Sequence, residues 1–143
     1  MFTGSVKIQS ISNVNSISTS ILSKRLITLE FLNLFPGNVC NIKGSKTFNF
    51  SLSPYYEARL IKSITVESSF DDVGYASING ISVGSCTLAD SRYCFSITIS
   101  KDLNVENLRK DNFITLYAED VNAPFCSEKN GTFAKSKIII NYK

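Results

Sequence analysis

The stretch Tyr75-Ala76-Ser77-Ile78-Asn79-Gly80-Ile81-Ser82-Val83 decides the fold class. β-Forming residues flank the dipeptide Asn79-Gly80 on both sides. Both central positions of a type I′ turn need positive φ, and Asn-Gly tolerates that best. The stretch therefore predicts two antiparallel strands joined by a two-residue turn.

Strand patterns continue outward in both directions. Phe95-Ser96-Ile97-Thr98-Ile99 alternates apolar and polar residues, the period of a half-buried strand. Phe113-Ile114-Thr115-Leu116-Tyr117-Ala118 and Lys137-Ile138-Ile139-Ile140-Asn141-Tyr142 read as further strands. On the other side, residues 60–67 carry Ile61, Ile64 and Val66 in a strand pattern. Residues 47–52 and 6–12 alternate again, and residues 25–32 read as a more buried strand. Phe35-Pro36-Gly37-Asn38 ends that strand with turn chemistry. Residues 13–23, rich in Ser and Asn, read as a loop or a weak edge strand. Residues 102–109 are the one plausible helix, with Leu103, Val105 and Leu108 facing inward; two turns are marginal alone. The pattern amounts to about eight strands with one short helix and no internal repeat. Strands in a row separated by turns predict an all-β antiparallel sandwich, in the form of a jelly roll.

A chain of 143 residues fits a single domain, residues 1–143. Apolar residues make up 43% of it, with ten Phe and six Tyr, enough for one sandwiched core. The net charge of +3 comes from scattered basic residues with no Lys/Arg tract, which argues against nucleic acid. No apolar run reaches the length of about 20 residues that a membrane-spanning helix needs. Met1-Phe2-Thr3-Gly4-Ser5 lacks the pattern of a signal peptide, so the expectation is a domain excised from a longer protein.

Four cysteines are present: Cys40, Cys86, Cys94 and Cys126. An even count in a small β-rich chain suggests disulfides, and four cysteines allow three connectivities. Cys86 and Cys94 flank a short polar stretch, a spacing that suits a loop stapled at its base. Cys40 and Cys126 would then pair over a long separation. Such crosslinks imply an oxidising compartment: extracellular, on a bacterial cell surface, or periplasmic. With no His and no C-x-x-C pair, a zinc site is not expected.

The region from Ile64 to Ala118 resembles galactose-binding-like jelly rolls. The resemblance rests on three pieces: Phe70-Asp71-Asp72, the run from Tyr75 to Gly80, and Leu108-Arg109-Lys110-Asp111-Asn112-Phe113-Ile114. In physical terms, Asp71-Asp72 caps a corner between strands, and Asn112 terminates a short helix or turn before a buried strand. Within that group, the chain is similar to modules of TraN-type conjugation proteins, which are cysteine-rich outer-membrane mating-pair stabilisation proteins. Two features depart from the pattern: there is no Trp, and the cysteines are few. The resemblance implies docking on a receptor at a recipient cell's surface.

Catalysis finds little support. Without His, the commonest general base and triad partner are both missing. Asp71 and Asp72 are expected to form a solvated turn. Calcium is the cofactor idea the carboxylates allow: Asp71, Asp72 and Asp120 converge if two strand ends are neighbours. No contiguous calcium loop is present, and the expectation is no cofactor.

Loops on a rigid sandwich are the natural recognition elements. The loop between Cys86 and Cys94 carries Asp90, Arg92 and Tyr93, and Arg and Tyr are enriched at interface hot spots. Tyr55, Tyr56 and Arg59 form a second candidate patch. The sequence thus predicts a non-enzymatic recognition module for a cell-surface protein or glycan. Its first reading is adhesion in conjugative mating-pair stabilisation. The alternative is a carbohydrate-binding module of a phage tail protein or a glycan-processing enzyme. A structural spacer without a ligand is the third.

Overall fold

The computed structural model describes residues 6–9, 15–23, 26–35, 42–52, 60–87, 98–120 and 132–143. Among them are ten strands: β1 (Val6–Gln9), β2 (Asn15–Ser23), β3 (Leu26–Phe35), β4 (Lys43–Leu52), β5 (Ile61–Asp71), β6 (Val73–Ile78), β7 (Ile81–Cys86), β8 (Ile99–Leu103), β9 (Asp111–Glu119) and β10 (Thr132–Tyr142). They form two five-stranded antiparallel sheets. The first sheet has the order β1-β4-β9-β6-β7, and the second β2-β3-β10-β5-β8. Only β2–β3 and β6–β7 are consecutive neighbours within a sheet. Every other connection carries the chain to the opposite sheet, as in a jelly roll.

The expected all-β sandwich is what forms, because alternation gives each strand one apolar face to bury. Ile27, Leu29 and Phe31 of β3, Ile64, Val66 and Phe70 of β5, and Ile138 and Ile140 of β10 point inward from the second sheet. Phe48 and Phe50 of β4, Ile114 and Leu116 of β9, and Ile78 of β6 meet them from the first. The Phe31 ring lies 5.7 Å from Phe48 and 5.4 Å from Phe50, both tilted. Two polar contacts lie within the buried interior. Asn33 of β3 donates across the sandwich to the Leu116 carbonyl at 2.9 Å, and the Ser68 and Ser136 hydroxyls bond at 2.7 Å.

Of the two readings of residues 13–23, the edge strand is the one that forms: β2 pairs antiparallel with β3 at the edge of its sheet. Two expectations need correction. The helix over residues 102–109 is not formed. Asp102 and Leu103 belong to β8, paired with Thr65 and Ile64, and only Val105–Asn107 makes a 3₁₀ turn. Pairing to an existing sheet outweighs a nucleus of two helical turns. Asp72 is also not solvated: it is 3% exposed. The chain crosses from β5 into β6 at Asp71-Asp72, through a cis peptide bond, and Val73 immediately pairs with Glu119. That crossing draws Asp72 into the end of the sandwich.

The hairpin behaves as the sequence predicts. Asn79 has φ 52° and Gly80 φ 83°, both in the left-handed region of a type I′ turn. Gly74 is needed for a different reason. A Cβ there would lie 2.2 Å from the Tyr117 carbonyl oxygen and 2.8 Å from the Phe70 ring. β6 therefore reaches β9 and the core only without a side chain at this position. Urea unfolding should show Gly74→Ala destabilised by about 3 kcal/mol through overpacking. Gly80→Ala should cost about 1 kcal/mol, because its φ alone is strained.

Candidate functional site

β9 is the central strand of the first sheet, and its period of two sorts its side chains. Asn112, Ile114, Leu116 and Ala118 are buried, so Asp111, Phe113, Thr115, Tyr117 and Glu119 project from the outer face. β6 adds Tyr75 and Ser77 to that face. Register places Tyr75 directly opposite Tyr117. Their rings stack 5.1 Å apart at an interplanar angle of 12°. Tyr75 is 44% exposed and Phe113 41%, and these are the exposed large hydrophobics among the described residues.

The neighbours of the stacked pair are small. Ser45 of β4 is in register with Tyr117, and Ser85 of β7 with Tyr75. The row therefore runs Ser45, Tyr117, Tyr75, Ser85. Each tyrosine stacks on its partner, and its other neighbour in the row is a serine with a short side chain. The next row holds Thr47, Thr115, Ser77 and Ser82, all hydroxyl side chains. The Thr47 and Thr115 hydroxyls bond to each other at 3.0 Å.

Two local networks hold this face. The Tyr117 hydroxyl donates to a carboxylate oxygen of Glu119. The phenol is pushed up to about 12 by that hydrogen bond first, then by burial, then by the charges of Glu119 and Tyr75. Asparagines anchor Phe113. Asn79 donates its backbone N–H to the Phe113 carbonyl at 2.9 Å, and its side-chain oxygen accepts from the Phe113 N–H at 3.0 Å. The Asn79 side-chain amide also donates to the Asn107 carbonyl at 2.7 Å and to Asn112 Oδ1 at 2.9 Å. Asn112 closes the turn before β9, accepting from the Arg109 N–H and donating to the Arg109 carbonyl, both at 2.7 Å. This is the terminating role the sequence assigns to Asn112.

The outer face of the second sheet is different in kind. Lys137 lies in register between Glu30 and Glu67, with Glu30 at 3.5 Å. These residues, with Lys135, Ser69 and Thr98, line a shallow hollow of about 180 Å³. That surface is charged and self-paired.

Asp90, Arg92, Tyr93, Tyr55, Tyr56 and Arg59 lie outside the described residues, as do Cys40, Cys94 and Cys126. Cys86 ends β7, is 8% exposed and is disulfide-bonded. The strand ends carrying Asp72 and Asp120 are neighbours, since Val73 pairs with Glu119. The calcium trio nevertheless does not assemble. Asp71 follows the inward-facing Phe70 and so points to the outside of the second sheet. Among the described residues, no group of three or more His, Cys, Asp or Glu is placed to hold a metal ion. Sequence reasoning missed Tyr75, Phe113 and Tyr117. Their signal is the spacing of two between Phe113, Thr115 and Tyr117, set against the apolar run Ile114, Leu116, Ala118.

No family model and no curated protein matches this chain. Among solved structures, it is similar to BuGH86 in complex with neoagarooctaose. A glutamate-to-glutamine variant of that protein aligns with a TM-score of 0.40 and the wild type with 0.38, each at 10% identity. Both alignments cover 99% of this chain and 20% of the other, so this chain spans about a fifth of that length. A likeness this distant carries no argument about ligand. Among the described residues, no helix is long and apolar enough to cross a membrane.

The Tyr117–Glu119 bond predicts a pH response. A raised phenol favours the folded state in full below about pH 10, and the advantage fades as the pH climbs through about 12. Absorbance titration of phenolate should show a late tyrosine step near 12, and Glu119→Gln should move that step down toward the ordinary range.

Proposed function

We propose that this domain is a non-catalytic recognition module that binds a glycan on the outer face of its first sheet. The supporting observation is the Tyr75–Tyr117 stack on the outer face, flanked in register by the short side chains of Ser45 and Ser85. Sugar rings present apolar C–H faces and a rim of hydroxyls. Tyrosine matches both, with an apolar ring and a polar tip. The adjoining hydroxyl row supplies donors and acceptors for the rim. The carboxylates on this face are placed badly for glycosidic hydrolysis. Asp111 and Glu119 stand at opposite ends of β9, about 27 Å apart by strand rise. Hydrolysis needs a pair within roughly 10 Å. No cofactor enters this reading. An extracellular or cell-surface setting fits the disulfide at Cys86.

A second reading keeps the role implied by the sequence resemblance: docking on another cell's surface in conjugative mating-pair stabilisation. The disulfide at Cys86 favours it, because Cys86 stands at the base of the segment carrying Asp90, Arg92 and Tyr93. One set of variants separates the two. Affinity electrophoresis through gels containing soluble polysaccharides should retard the wild type. Tyr75→Ala and Tyr117→Ala should each weaken retention about tenfold, a loss of about 1.4 kcal/mol. If retention instead survives those changes and disappears with Arg92→Ala and Tyr93→Ala, the loop carries recognition and the sheet-face reading is wrong.

A further inference from the structure

Resting on the glycan reading, we infer that the ligand is an extended, uncharged polysaccharide lying along β9. The site would grip internal sugars at two separated aromatics rather than pocket a chain end.

The argument starts from the spacing on one strand. Phe113 and Tyr117 are four residues apart on β9, so they share its outer face. Four steps of strand rise set them about 14 Å apart. Between them lies Thr115, flanked in register by Thr47 and Ser77, with Ser82 beyond. Two aromatic platforms are thus separated by a row made only of hydroxyls. In the Thr47–Thr115 pair one hydroxyl donates to the other. The acceptor keeps its own proton, and the donor keeps its lone pairs, so the pair can both donate to and accept from a ligand above it.

Charge marks the two ends of this strip. Lys43 and Glu119 are in register at one end, and Asp111 takes the Ser51 hydroxyl at the other. The three rows between them carry no ionisable group except the tyrosine phenols: Ser45, Tyr117, Tyr75 and Ser85; Thr47, Thr115, Ser77 and Ser82; Asn49 and Phe113. A neutral chain fits these three rows, whose side chains give a uronic-acid or sulfated polymer no cation to pair with. A protein partner fits less well. A stable interface needs roughly 800 Å² on each side with an apolar centre. Here the centre is the hydroxyl row, and the aromatics are islands on either side of it.

Phe113 is also held as a platform should be. The Asn79 turn binds its backbone N–H and carbonyl, which leaves the ring as the free element at that end of the strip.

The test uses the full chain. Affinity electrophoresis in gels of barley β-glucan, xylan, galactomannan or agarose first finds a retained polymer. Calorimetry then follows oligosaccharides of that polymer, from the monosaccharide to chains long enough to span both aromatics. Affinity should rise steeply once the chain bridges Tyr117 and Phe113. Phe113→Ala should remove about tenfold from the long chains only, Phe113→Tyr should restore it, and Tyr75→Ala should weaken every length. A monosaccharide binding as tightly as the longest chain, or long-chain affinity indifferent to Phe113→Ala, would overturn the extended site while leaving sugar binding intact. Retention by none of the polymers would remove both readings together. Unchanged far-UV spectra and melting of each variant exclude misfolding as the cause of a loss, and Phe113→Tyr gives a second route should Phe113→Ala not fold.

Discussion

The alternation of β9 is the constraint on which the rest of the structure depends. It lies at the centre of its sheet, paired to β4 on one side and β6 on the other. Ile114, Leu116 and Ala118 are wholly buried, and the Leu116 carbonyl takes the hydrogen bond that Asn33 sends across from the second sheet. A slip of one residue would exchange every side chain between faces. Phe113 and Tyr117 would enter the core, and the Asn33 bond would lose its acceptor. Because the inward set is committed, the outward set is committed too, and it contains the aromatics.

Neighbouring strands are built around that commitment. β6 reaches β9 through Gly74, where no side chain could stand beneath the Tyr117 carbonyl. Its far end is tied by Asn79, whose backbone and side chain together pair with Phe113 much as another strand residue would. Asn112 is buried, and its side chain satisfies both backbone groups of Arg109. Buried amides bonded in this way favour one arrangement, since losing a partner would leave a desolvated polar group. The conformation of a tight turn, the registry of β6 on β9 and the placement of an exposed ring are thus one set of bonds.

The two outer faces then diverge in chemistry while sharing a scaffold. On the second sheet, Lys137 pairs with Glu30 and stands in register with Glu67 in a charged surface row that contributes little energy. On the first, the side chains of three rows are hydroxyls, an amide and rings, with Lys43, Glu119 and Asp111 at the ends. A sandwich can present either face without altering its core, because the core reads only alternate residues.

Much of the fold is legible in the chain itself. The turn at Asn79-Gly80, the strand periodicity and the absence of long helical segments follow from local backbone preference and period, which need no knowledge of distant residues. The helix over residues 102–109 failed as an expectation for the complementary reason. Its residues had weak local preference, and an open edge of β5 claimed Asp102 and Leu103 first. Asp72 looked like a turn residue until the chain was seen to cross between sheets beside it. The candidate site was the least legible. Phe113 and Tyr117 are as apolar as core residues, and only the packing of Ile114 and Leu116 against the opposite sheet decides that they face outward. Tyr75 meets Tyr117 through a pairing of strands whose facing residues stand 42 positions apart (Tyr75↔Tyr117). Local preference is written residue by residue, so the sequence by itself determined the strands and the turn. Which side of each strand meets solvent, and which side chains then stand together, depends on long-range register, and only the tertiary structure decided it.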